Sequence, residues 1–97
     1  MGTYVGLDIG GTKFMVAAGD SSGAIVRRVR APTPAPLAEG LDLLHSMIDE
    51  VAQGQPIAGM GAAIGGPLDA VRGIVSPLHQ PAWRAVPLKE IMEARWG

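Results

Sequence analysis

Six consecutive residues near the start of the chain, Asp8-Ile9-Gly10-Gly11-Thr12-Lys13, combine the residue types that bind phosphate. Two adjacent glycines let the main chain adopt φ > 0 and approach a bulky ligand with no Cβ in the way. Successive N–H groups in such a turn form an anion-binding concavity, to which Thr12 adds a hydroxyl donor and Lys13 a positive charge. Asp8 is the odd member, because a carboxylate beside a phosphate cradle repels the ligand unless a cation lies between them. Its functional role would be to hold Mg²⁺, directly or through water. The same residues also fit a plain hairpin with a Gly-Gly turn, in which Asp8 accepts hydrogen bonds from the turn's own N–H groups.

The flanks decide which kind of phosphate loop this can be. Tyr4-Val5-Gly6-Leu7 before it and Phe14-Met15-Val16-Ala17-Ala18 after it read as strands. A Walker A loop requires Gly-Lys-Ser/Thr opening a helix, whereas the order here is Gly11-Thr12-Lys13. A dinucleotide-binding βαβ unit requires a helix directly after the glycines, but the breaker cluster Gly19-Asp20-Ser21-Ser22-Gly23 follows too soon for one. The loop therefore lies at the bend of a β-hairpin.

Residues 24–30 read as a third antiparallel strand, with Ile25 and Val29 turned inward and Arg27, Arg28 and Arg30 on its solvent side. Ala31-Pro32-Thr33-Pro34-Ala35-Pro36 is a connector, since each proline removes a donor and pushes its predecessor toward extended geometry. Over residues 37–53, Leu37, Leu41, Leu44, Ile48 and Val51 recur at helical intervals with acidic residues between them, which predicts an amphipathic helix ended by Gly54. His45 flanks that stripe as a boundary or surface side chain with no nearby partner. Residues 57–64 form a short, apolar, small-residue run that fits a buried strand parallel to the first.

Gly65-Gly66-Pro67 makes a second special bend at the end of that strand, where ligands of open α/β sheets bind. Asp69 is expected to cap the following turn, and Arg72-Gly73 leads into Ile74-Val75 as the return arm of a hairpin. Trp83 reads as a packing residue. Leu88, Ile91, Met92 and Trp96 share one face of a short terminal helix closed by Gly97.

Composition bounds the rest. The chain has 97 residues, 47% of them hydrophobic, with a formal net charge of −1 and no cysteine. That describes one small globular unit with neither disulfides nor a thiolate metal site. Its few basic residues do not form a nucleic-acid footprint, and no run is long or apolar enough to span a bilayer or serve as a signal peptide. No nucleic-acid or membrane partner is expected, and a cytoplasmic setting is.

Asp-Ile-Gly-Gly-Thr-Lys in a strand-turn-strand resembles the first phosphate motif of sugar kinases with the actin, Hsp70 and hexokinase fold. More narrowly it resembles the ROK family (repressors, open reading frames, kinases). Gly61-Ala62-Ala63-Ile64-Gly65-Gly66-Pro67-Leu68-Asp69, Arg72-Gly73-Ile74-Val75, Pro81-Ala82-Trp83 and Val86-Pro87-Leu88 are similar in order and spacing to the family's sugar-side segment. Where the family often reads Asn-Leu-Pro-Gly-Trp, this chain has His79-Gln80-Pro81-Ala82-Trp83.

The resemblance implies an α/β fold of the actin-like ATPase, ribonuclease H-like type. Its mixed sheet would have three antiparallel strands and one parallel strand under covering helices, with residues 1–97 forming a partial N-terminal lobe. It implies ATP and Mg²⁺ at Asp8, Gly10, Gly11, Thr12 and Lys13, and a hexose near Gly65, Gly66 and His79, as in a glucokinase. In the family's kinases the catalytic Asp lies in an Asn-Asp motif on the strand after this last helix, and no Asn occurs in the chain. The His and Cys zinc cluster, the second phosphate loop and the adenosine site lie further on too. The chain alone is thus expected to be inactive, and to self-associate as a homo-oligomer or through its open sheet edge. Two alternatives are a sugar-sensing piece of a ROK repressor, which would carry a helix-turn-helix ahead of the first strand, and a non-catalytic nucleotide-binding or assembly module.

Overall fold

A computed structural model describes residues 2–65, 68–69, 72–76 and 83–97. The first strand, β1 (Thr3–Ile9), alternates strictly: Thr3, Val5, Leu7 and Ile9 are buried, while Tyr4, Gly6 and Asp8 are exposed. That period of two marks a sheet with one covered face. The second strand, β2 (Lys13–Gly19), buries Phe14, Val16 and Ala18 on the same side, opposite Ile9, Leu7 and Val5.

Helix α1 (Leu37–Ala52) lies over that face and buries Leu44, Met47, Ile48 and Val51 at the spacing of one helical stripe. It carries the chain to β4 (Ile57–Ile64), which pairs with β1 in parallel, Leu7 opposite Ala62 and Ile9 opposite Ile64. With β3 (Ile25–Pro32) on the far side of β2, the order is β3-β2-β1-β4. This is the mixed α/β sheet expected, three antiparallel strands and one parallel strand under a covering helix. No helix among the described residues is long and apolar enough to cross a membrane.

The third strand departs from expectation in three ways. It runs through Ala31 and Pro32, which pair with Phe14 and Lys13. A proline is tolerated there because β3 is an edge strand. A register shift at Ala18/Gly19 inserts an extra residue near the strand's start, so Ile25 faces outward and is 60% exposed instead of buried. The shift leaves Arg27, Val29 and Ala31 on the helix side. Arg27 is consequently not a solvent-face residue: its Nε donates to the Val51 carbonyl at 2.7 Å, satisfying one acceptor in the last turn of α1. The left-handed residue that ends α1 is Gln53 (φ 51°), one position before Gly54.

In the turn between β2 and β3, Asp20 accepts hydrogen bonds from the hydroxyl and amide of Ser22 and from the amide of Ala24. The Ser22 hydroxyl bond, followed by its amide, lowers the Asp20 pKa below the usual carboxylate value. That suits a turn-capping acceptor and not a general base.

A second, small sheet holds β5 (Leu68–Asp69), β6 (Ile74–Val75) and β7 (Val86–Pro87) in that order. The β5–β6 hairpin was expected. Gly73 takes φ 68° in its turn, and its carbonyl accepts from the Lys89 amide at the start of α2 (Leu88–Trp96). Trp83 is fully buried, edge-on to Phe14 with ring centroids 6.0 Å apart, in the packing role expected of it.

His45 does have a partner, contrary to the sequence reading. Trp96 Nε1 donates to His45 Nδ1 at 3.1 Å, and on the same two helices Arg95 pairs with Asp49 at 3.5 Å. Burial first, then the positive charge of Arg95, lowers the His45 pKa below 6.5, against the smaller opposing pull of Asp42 and Asp49. An acceptor Nδ1 requires neutral imidazole. As pH falls below 6.5 the unfolded chain takes up protons more readily than the folded one, so stability is full above that value and lost progressively below it. Urea unfolding across pH 7.5–5 is expected to show this loss, and His45→Phe to flatten it.

Candidate phosphate-binding loop

The hairpin between β1 and β2 closes through one backbone bond, from Gly10 N–H to the Lys13 carbonyl at 3.1 Å. A Cβ at Gly10 would stand 3.0 Å from that carbonyl oxygen, a tight contact that favours glycine there. The expected φ > 0 is not found at either loop glycine. Among the described residues, positive φ at glycine occurs at Gly23, Gly54, Gly73 and Gly97.

Two further bonds come from outside the hairpin. The Thr33 hydroxyl donates to the Gly10 carbonyl at 2.7 Å, and the Thr33 N–H donates to the Thr12 carbonyl at 3.1 Å. In a trans peptide the C=O and the following N–H point in opposite directions. Turning the carbonyls of Gly10 and Thr12 toward Thr33 therefore aims the N–H groups of Gly11 and Lys13 away from it. The amides of Gly11, Thr12 and Lys13 make no hydrogen bond among the described residues. Free donors at successive positions, with two carbonyls turned back, are the groups an anion-binding turn would use.

The side chains fit the same reading. Gly11, Thr12 and Lys13 are exposed at the tip, and neither the Thr12 hydroxyl nor the Lys13 ammonium has a partner among the described residues. Asp8 lies opposite Met15 on the uncovered face, the face that also carries Lys13 two residues further along β2. Its carboxylate accepts none of the turn's N–H groups, so the plain-hairpin role for Asp8 is not what the fold uses. An exposed carboxylate with no partner beside a phosphate cradle suits a hard cation held partly by water and phosphate oxygens. No group of three or more possible metal-binding side chains occurs among the described residues.

Gly65 follows β4, whose last residue, Ile64, is level with Ile9. The carboxyl ends of the two parallel strands thus lie side by side, bringing Gly65 to the end of the sheet that carries the phosphate loop. The other two residues expected on the sugar side, Gly66 and His79, lie outside the described residues. Thr33 was missed, although its flanking prolines were a legible signal of a fixed backbone. A cavity of about 520 Å³ lies elsewhere, between β4 and α2, with Ile57, Met60, Val75, Leu88, Met92 and Trp96 in its wall. Its lining is mainly apolar, with Lys89 and Glu93 also in the wall.

Comparison with known proteins agrees with this geometry. The ROK family pattern matches residues 4–97. Glucokinases from Streptomyces coelicolor and Streptomyces lividans are each 34% identical over all 97 residues. The chain spans only 31% of their length. Among solved structures, a ROK family glucokinase from Streptomyces griseus in complex with glucose and AMPPNP superposes with a TM-score of 0.84 at 29% identity, over 97% of this chain and 30% of that one. A glucokinase from Parabacteroides distasonis gives 0.85 at 29% identity, over 99% of this chain and 28% of its own. The mixed sheet of this chain is thus that of the actin-like sugar-kinase fold, and the chain belongs to the ROK family.

Proposed function

We propose that this chain is the N-terminal lobe of an ATP-dependent sugar kinase of glucokinase type, contributing the phosphate loop and one wall of the sugar site. The observation that carries the reading is the set of amides at Gly11, Thr12 and Lys13 that have no partner among the described residues, with Asp8 likewise unpaired among them. Phosphoryl transfer proceeds largely by positioning and charge stabilisation, and this loop would supply both for the transferred group. The amides and Lys13 hold phosphate oxygens, while Asp8 holds Mg²⁺. Mg²⁺ would supply positive charge that offsets the charge of the phosphates. Gly65, at the same end of the sheet, would let the backbone approach the sugar. Glucose and AMPPNP in the related Streptomyces griseus enzyme support both ligand classes.

A general base for the sugar hydroxyl is also required. Asp20 caps a turn, the carboxylates of α1 and α2 sit on helices and Asp8 lies beside the phosphate loop, none of them the setting of the family's catalytic Asp. The lobe alone is expected to bind nucleotide without forming sugar phosphate. We also propose that it self-associates along the open edge of β4, where backbone groups and the neighbouring apolar cavity await cover. Titrating Mg·ATP into the isotope-labelled chain should shift the amide signals of Gly11, Thr12 and Lys13, and light scattering should report a species larger than the monomer. No shift at the loop overturns the kinase-lobe reading, and a monomer at high concentration overturns the edge pairing.

A further inference from the structure

Within Pro32-Thr33-Pro34, only Thr33 has a backbone N–H. Pro34 restricts Thr33 to extended geometry, so the residue enters the fold with little backbone freedom left to lose. Both of its donors are directed at the phosphate loop. The N–H takes the Thr12 carbonyl and the hydroxyl takes the Gly10 carbonyl, on the two sides of Gly11. The extension of β3 to Pro32, opposite Lys13, is what brings Thr33 level with Thr12.

We propose that Thr33 is the positioning residue of the phosphate loop, an inference that rests on the kinase-lobe reading above. A loop containing Gly10-Gly11 is conformationally permissive and would otherwise lose much entropy on closing around an anion. A rigid, proline-flanked tether imposes that order before the ligand arrives, and preorganisation of this kind raises affinity. It also keeps two carbonyl dipoles from facing the phosphates. Because the Lys13 N–H does not bond the Gly10 carbonyl, the Thr33 hydroxyl is that oxygen's sole donor among the described residues.

Thr33→Val tests this, since it retains the shape, the β-branch and the N–H but deletes the hydroxyl. Thr33→Ser restores the hydroxyl. In the ligand-free chain, Thr33→Val should shift or broaden the amide signals of Gly11 and Lys13 while leaving those of the distant Asp20–Ala24 turn in place. It should bind Mg·ATP and inorganic triphosphate about tenfold more weakly per folded molecule, with Thr33→Ser within about twofold of the unaltered chain. A purely structural role would lower the urea midpoint and leave affinity per folded molecule unchanged. Equal triphosphate affinity in Thr33→Val, or unmoved loop amides, overturns the proposal. If the unaltered chain binds neither probe, the kinase-lobe reading fails, and the ligand-free amide signals alone decide whether Thr33 sets the loop.

Discussion

Replacing Trp83 by alanine is expected to remove about 3–5 kcal/mol of folding stability, as for other large-to-small changes at buried aromatic positions. A single domain of this size has only about 5–15 kcal/mol in total, so a large part of the population would be unfolded at 37 °C. Trp83 is fully buried and meets Phe14 edge-on at an interplanar angle of 71°. Its six-membered ring also lies against Gly40 in the first turn of α1, where an added Cβ would stand 3.0 Å from Cζ2. The ring therefore ties the helix that covers the sheet to the strand that begins just after the phosphate loop. Its indole N–H is buried with no acceptor among the described residues, a desolvation cost carried by the folded state. Trp83→Phe deletes that donor and retains most of the apolar area, so its loss should be smaller, about 1–2 kcal/mol. Urea unfolding followed by circular dichroism measures both. A Trp83→Ala midpoint close to that of the unaltered chain would refute the central place given to this ring.

The second large effect concerns the ligand. Lys13→Ala should weaken Mg·ATP binding by about 10- to 100-fold, the range expected for losing a charged hydrogen-bond donor to phosphate. Asp8→Asn should act in opposite directions according to the metal. With Mg²⁺ present it removes a ligand of the ion and should weaken binding about tenfold. With the metal chelated it removes a negative charge beside the phosphates, so metal-free ATP should bind no more weakly than before, and more tightly at low ionic strength. Calorimetric titration of the two variants, with and without Mg²⁺ at one fixed salt concentration, separates the roles. Equal weakening by Asp8→Asn in both conditions would assign Asp8 to loop structure and not to the ion.

The sequence alone determined the elements whose signals are local. The alternation of Val5, Leu7 and Ile9 and the helical spacing of Leu44, Ile48 and Val51 follow from burying one face of a short segment, and the bounds of β4 and α2 were legible too, although β4, at the sheet edge, buries none of its residues and is not the buried strand expected. The candidate phosphate loop stood out for the same reason, since its glycines, Thr12, Lys13 and Asp8 are contiguous. Tertiary structure decided what depends on partners far away along the chain. The bulge that turned Ile25 outward arises from register against β2, which a single strand's pattern does not encode, whereas Arg27 shares the face of Val29 by the strand's own period of two. Arg27 finds its acceptor 24 residues away, and His45 finds Trp96 at 51. Thr33 was read as part of a connector because nothing local assigns its two donors. Only the pairing of β3 with β2 brings it across 23 residues to Gly10, where its hydroxyl meets the carbonyl that the loop itself leaves unpaired.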